Sequence, residues 1–133
     1  MVVYDTYAWI EYFRGSEKGL KVRELLKRGG YTPSIVLAEI ARKYVREGVS
    51  PDEVRKRLLF IETRTKIIPI DSDLAVRAAK VFMELYNYAK ERKLRKLSLA
   101  DAIVYSIAQQ LEENLVTGDK LFKDPLLVLY IGD

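Results

Sequence analysis

Two short apolar runs at opposite ends of the chain each hand over to an aspartate: Val2-Val3-Tyr4 to Asp5, and Leu115-Val116-Thr117-Gly118 to Asp119. Runs this short, rich in β-branched and aromatic residues, read as buried strands. In an open α/β sheet, ligands and chemistry collect outside the carboxyl ends of the strands. Two carboxylates delivered to that edge from distant parts of the sequence suggest a site for cations. The chain has neither Cys nor His, so thiol and imidazole chemistry is excluded. Carboxylates, hydroxyls, amines or a bound metal must do any catalysis.

Each acid also has a plain structural reading. Asp5 can cap a helix beginning at Thr6. Asp119 can be a turn residue in Thr117-Gly118-Asp119-Lys120. Asp101 stands third behind Ser98, the acid position of a capping box, where it also favours the helix N-terminus electrostatically. Glu39 points away from the stripe Leu37, Ile40, Ala41 and Tyr44, and an i,i+4 pair with Lys43 accounts for it. Asp71 follows an apolar run as Asp5 does, but with Ser72 and Asp73 it reads first as a helix start. Asp124, before Pro125, reads as a turn. Most of the nine tyrosines lie at helical core spacing and are assigned to packing.

The elements that must position these residues follow from pattern and punctuation. A strand over Val2 to Asp5 precedes a helix from Thr6 to Phe13 that ends at Gly15, and a second helix runs from Glu17 to Lys27. Thr32-Pro33 opens a helix from Ser34 to Glu47. Ser50-Pro51-Asp52-Glu53 is a capping box with proline at the first helical position, starting a helix that carries Val54, Leu58 and Ile61. Ile67 to Ile70 is the next strand, pushed towards a sheet edge by Pro69. The longest helix starts at Asp71 or Ser72, with Leu74, Ala78, Val81, Phe82, Leu85 and Ala89 on one stripe. A helix from Ser98 to about Gln110, the strand at Leu115, a short turn around Lys120 to Phe122 and a strand from Leu126 to Ile131 complete the chain. Strands separated by helices imply parallel pairing and a three-layer α/β/α sandwich.

With 133 residues and no linker or repeat, the chain is expected to form a single domain over 1–133. A 49% hydrophobic and 32% charged composition describes a globular protein, and no apolar stretch approaches a membrane span. The start lacks a signal peptide's basic region, so a cytoplasmic location is expected. A net charge of +4 and a pI near 9.2 make an acidic partner plausible. The basic residues are uneven, with one group at Arg42, Lys43, Arg46, Arg55, Lys56, Arg57, Arg64 and Lys66 and another at Lys90, Arg92, Lys93, Arg95 and Lys96. Solvated helix faces are the plain alternative for both.

Four segments in order resemble the PIN-domain family, specifically the small VapC-type toxin ribonucleases. They are Val-Val-Tyr-Asp-Thr at 2–6, Tyr-Thr-Pro-Ser-Ile-Val-Leu-Ala-Glu-Ile at 31–40, Leu-Ser-Leu-Ala-Asp-Ala at 97–102 and Leu-Val-Thr-Gly-Asp-Lys-Leu-Phe at 115–122. Pro69-Ile70-Asp71-Ser72-Asp73 resembles that family's usual entry to its long helix. The resemblance implies a catalytic set of Asp5, Glu39, Asp101 and Asp119, with Thr117 positioning an acid or a water. It implies magnesium or manganese as cofactor, hard ions that take oxygen ligands and keep waters a phosphate can displace. Asp5 and Asp101 would be the primary ligands, with Asp119 and Glu39 holding a second ion or outer-shell waters. The implied reaction is hydrolysis of RNA, leaving a 5′-phosphate and a 3′-hydroxyl. A homodimer and a VapB-like antitoxin are the implied partners. Val104-Tyr105-Ser106 departs from the small residues often found after the third acid.

Rival readings are an RNA-processing or decay nuclease of the same family and a PIN-like module that binds without cutting; the latter would lack one or more acids. A phosphoacceptor receiver domain would need adjacent acids after the first strand, where the chain has Asp5-Thr6. A haloacid-dehalogenase phosphatase needs Asp-x-Asp, and Asp5-Thr6-Tyr7 lacks the second acid. No glycine-rich nucleotide loop is present.

Overall fold

Among the described residues each strand is only two or three residues long, so the sheet depends on parallel neighbours and covering helices. The structure, a computed structural model, describes residues 1–123 and 128–133. The described elements are β1 (Val3–Tyr4), α1 (Thr6–Arg14), α2 (Glu17–Leu26), β2 (Tyr31–Pro33), α3 (Ser34–Arg46), α4 (Pro51–Arg64), β3 (Lys66–Ile68), α5 (Ser72–Glu91), α6 (Leu99–Leu111), β4 (Leu115–Thr117), a 3₁₀ turn (Lys120–Phe122) and β5 (Val128–Tyr130). The strands form one sheet in the order β3-β2-β1-β4-β5, all parallel, with Val3 opposite both Tyr31 and Leu115. Helices flank it, as expected for a three-layer α/β/α sandwich.

From β1 the chain builds outwards through β2 to β3, then returns to the other side of β1 with β4 and β5. The direction of winding therefore reverses between β1 and β4. Such a reversal leaves a crevice at the carboxyl ends of the two strands, because their connections leave in opposite directions. Asp5 follows β1 directly, and Asp119 lies two residues beyond β4.

The core explains why so little strand suffices. Val3, Tyr4, Leu115 and Val116 are fully buried, as parallel strands covered on both faces require. Beside them Trp9 packs among Tyr4, Tyr12, Phe13 and Phe60. Its indole N–H donates to the Thr32 hydroxyl at 3.1 Å, which pairs with the Thr65 hydroxyl at 2.7 Å. That chain of bonds satisfies buried polar groups between α1, β2 and the end of α4.

Helix punctuation follows the sequence closely. Ser16, Ser50, Asp71 and Ser98 each accept a backbone N–H at the start of their helices, and Gly15 closes α1 at φ 67°. Asp71 is thus a cap, bonded to the Leu74 amide at 2.8 Å. The clearest difference from the sequence reading is β2, which the pattern assigned to a helix entry. Tyr31-Thr32-Pro33 is too short to show alternation, yet Tyr31 and Pro33 pair with Lys66 and Ile68 of β3. The edge strand β3 is Lys66–Ile68 and leaves Pro69 beyond its end, since Pro cannot donate to a ladder. On α3 the buried stripe is Val36, Ile40 and Tyr44, with Leu37 only partly covered. Tyr86, 43% exposed, departs from the packing role assigned to the tyrosines. Asp124 and the start of the expected final strand, at 126 and 127, lie outside the described residues; β5 occupies Val128–Tyr130.

Candidate active site

The crevice beside β1 and β4 is a cleft of about 220 Å³ lined by Asp5, Glu39, Asp101 and Asp119, together with Thr6, Tyr7 and Arg95. All four acids singled out in the sequence meet there. Larger hollows are found beside other elements: one along α5 and α6, one between α1, α2 and α4, and one at the end of α5 beside residues 94–97. Size does not select the site; the meeting of the four acids at a strand crossover does.

Asp5 is cap and cleft residue at once. One oxygen accepts the Ala8 amide of α1 at 2.8 Å, while the group as a whole is buried. Burial pushes its carboxyl up to about 7, and the nearby charges of Asp119 and Glu39 add to the rise. The Thr117 hydroxyl and the Ala8 amide favour the charged form and limit it. Glu39, half-buried on α3, reaches the cleft at the strand ends, while Arg42 and Arg46 farther along the same side stay exposed. Its carboxylate accepts the Thr6 hydroxyl at 2.7 Å. Lys43, expected to pair with Glu39, binds Glu47 at 2.6 Å instead.

Asp101 completes a true capping box: Ser98 accepts its amide at 3.2 Å, and its carboxylate accepts the Ser98 amide at 2.8 Å. Capping leaves the carboxylate at the cleft, so the two readings of this residue are compatible. Asp119 caps the 3₁₀ turn through the Leu121 amide at 3.0 Å. Its own amide donates to Thr117 at 3.1 Å, tying the last acid to the strand. Thr117 is fully buried beneath the cleft, between Asp5 and Asp119. Gly118 allows this turn, since a side chain there would run into the Tyr7 ring. Asp73 lines the hollow on α5 and α6, away from the cleft.

Arg95 is the cleft residue that sequence reasoning missed. It was visible only as one of a basic run, and no local spacing links it to Asp119, 24 residues on. Its guanidinium binds Asp101 through Nη1 and Nη2, at 2.8 and 2.7 Å, and Asp119 through Nε and Nη2, at 3.0 and 2.7 Å.

Residues 2–125 match the PIN domain family model. The chain belongs to the PIN domain family. No curated protein matches this PIN domain in sequence. Among solved structures, it resembles a toxin–antitoxin complex from Klebsiella pneumoniae (22% identity, TM-score 0.72), covering 100% of this chain and 99% of that one. It also resembles VapBC2 from Rickettsia felis bound to a promoter DNA fragment (19%, TM-score 0.67, covering 98% and 97%). A third is Mycobacterium tuberculosis VapC20, described as a toxin that cleaves the sarcin-ricin loop (16%, TM-score 0.66, covering 96% and 97%). At these identities the likeness concerns the fold.

The donor set of the cleft suits a hard divalent cation: carboxylate oxygens, hydroxyls nearby and no soft ligand. A buried aspartate whose proton is held first by desolvation and then by neighbouring negative charge is what such an ion would relieve. Among the described residues no three acids stand close enough to share one ion as they are. The cationic group between Asp101 and Asp119 is Arg95. No helix among the described residues is long and apolar enough to cross a membrane.

Proposed function

We propose that this PIN domain is a divalent-metal-dependent endoribonuclease acting as the toxin of a VapBC-type toxin–antitoxin pair. The observation that carries the reading is the meeting of Asp5, Glu39, Asp101 and Asp119 in one cleft at the reversal of the sheet. Asp5 and Asp101 would be the primary ligands of magnesium or manganese, with Asp119 and Glu39 holding a second ion or its waters. Such an ion supplies Lewis-acid polarisation of a phosphate oxygen and acidifies a water.

The remaining work falls to the chain. Asp5, aimed by the Ala8 amide and Thr117, would hold the ion in its ionised form. Thr6 holds Glu39 towards the same space. Arg42 and Arg46 lie exposed along the Glu39 side of α3. Lys90 and Lys96 line a hollow that shares Arg95 with the cleft. A phosphate backbone crossing the cleft would meet positive charge at these places. In-line attack of water there leaves a 5′-phosphate and a 3′-hydroxyl.

The antitoxin has a suitable surface away from the acids. The groove between α1, α2 and α4 is lined by Tyr12, Phe13, Leu20 and Phe60, with Arg23 and Arg64 beside them. Leu20 is 52% exposed. An amphipathic helix with an acidic edge, supplied by the antitoxin, fits that chemistry. A homodimer in a cytoplasmic setting completes the reading, by the same resemblance.

Purified Asp5→Asn and Asp101→Asn are expected to keep wild-type circular dichroism and lose cleavage of a ribo-oligonucleotide in magnesium; EDTA should stop the wild type. Full activity of either variant would remove the mechanism. Expression alone should arrest growth, and co-expression of the neighbouring antitoxin should relieve it. A harmless product that still cuts RNA would instead indicate processing or decay.

A further inference from the structure

We propose that Arg95 is a built-in counter-ion that holds the cation position between Asp101 and Asp119, and yields it to a divalent ion when an RNA phosphate takes over the guanidinium. This rests on the metal-dependent nuclease reading above.

All five N–H groups of Arg95 are engaged. Four bonds go to the two carboxylates, and the fifth, from Nη1, goes to the Lys96 carbonyl at 3.0 Å. The Asp101 contact is the two-pronged arrangement in which arginine binds carboxylates and phosphates most strongly. Arginine's proton is secure in this setting, because both carboxylates favour the charged form. The guanidinium therefore behaves as a permanent cation. An incoming ion has to displace it and cannot simply wait for it to deprotonate.

Three observations make displacement feasible. The Arg95 side chain is 44% exposed, against 12% for Asp101 and 28% for Asp119, so the guanidinium lies on the solvent side of the pair. It hangs from residues 92–98, which connect α5 to α6 without regular structure, so leaving breaks no helix. Among the described residues Asp5 and Glu39 have no cationic partner; they rely on hydroxyls and an amide. One guanidinium quiets half of the acid cluster and leaves a negative remainder to attract a second cation.

Coupling follows from exchange of partners. Without RNA, Arg95 and the divalent ion compete for Asp101 and Asp119, and the apparent affinity for the ion is lowered by the fraction of sites Arg95 occupies. An RNA phosphate offers the guanidinium an equivalent two-pronged partner. Ion and RNA should then each tighten the other's binding, by the same factor in both directions. The cleft would assemble its metal centre mainly on substrate.

The test is calorimetric titration of the folded chain with Mn²⁺ alone, and with Mn²⁺ plus a saturating phosphorothioate RNA octamer that resists cleavage. The wild type should bind Mn²⁺ at least ten-fold more tightly with the octamer present. Arg95→Gln should bind Mn²⁺ alone at least ten-fold more tightly than the wild type, with little further gain from RNA. Arg95→Lys, which keeps the charge but cannot bridge both carboxylates, should fall between them and serves if Arg95→Gln does not fold. If Arg95 merely clips the structure together, its loss should loosen the ligands and weaken Mn²⁺ binding, which overturns the proposal. Equal Mn²⁺ affinity in wild type and variants also overturns it, while leaving the nuclease reading intact. Failure of Mn²⁺ to bind any of these proteins in the millimolar range sinks both.

Discussion

At the residue scale, Asp5 combines a helix cap with a place among three other acids, and its protonation should report both. Its folded-state value of about 7 lies well above an unfolded aspartate's. The folded protein therefore holds that proton more tightly, and the resulting stability is complete below about pH 4. It is lost as pH rises through about 7. Without divalent ions, the melting temperature should fall between pH 5 and pH 8, and magnesium should raise it more at pH 8 than at pH 5. Differential scanning calorimetry of wild type and Asp5→Asn checks this, because the variant should have lost most of that pH slope. Residue types and the order of the motifs made this aspartate visible in advance. Its raised value was not, since it comes first from burial in the folded protein and then from Asp119 and Glu39, residues far away in the chain.

At the scale of elements, caps and turns aim the carboxylates. Ser98→Ala removes the hydroxyl that accepts the Asp101 amide and donates to its carboxylate. The loss should cost about 1 kcal/mol in urea unfolding. Cleavage should fall more than that stability loss alone explains, because Asp101 is freed to turn. Gly118→Ala forces the Tyr7 ring aside and moves the Thr117–Asp119 turn. Activity should drop sharply with a smaller change in melting temperature, as a thermal scan beside a cleavage assay would show. The capping serines and Asp71 were legible because caps depend on two or three neighbouring residues. The strand β2 was not, since its three residues become a strand only by pairing with β1 and β3. Glu39 illustrates the same limit: its helical wheel was sound in setting it off the buried stripe, but a wheel does not know that this position lies at the cleft.

For the molecule as a whole, charge and surface shape decide the partners. Positive residues outnumber acidic ones over residues 34–66 and 90–96. RNA binding measured by fluorescence anisotropy should weaken linearly in log salt, by about 0.7 per phosphate neutralised. Binding indifferent to salt would contradict phosphate contacts. In the separate groove between α1, α2 and α4, Leu20→Glu should weaken antitoxin binding by at least ten-fold in calorimetry and leave RNA cleavage unchanged, because Leu20 is remote from the acids. Such a variant should stay toxic even when the antitoxin is co-expressed.

The α/β class and the helix limits could be read along the chain, because each depends on neighbours within a few positions. The roster of acids came from the resemblance of four motifs to a family, since each acid taken locally also reads as a cap, a turn or an ion pair. What pairs with what was legible in neither. Arg95 reaching across to Asp119, Glu39 turning to Thr6, and a reversal of the sheet that brings Asp5 and Asp119 to one crevice are contacts through space. Their free energy depends on distances that exist only once the strands have paired and the helices have packed over them.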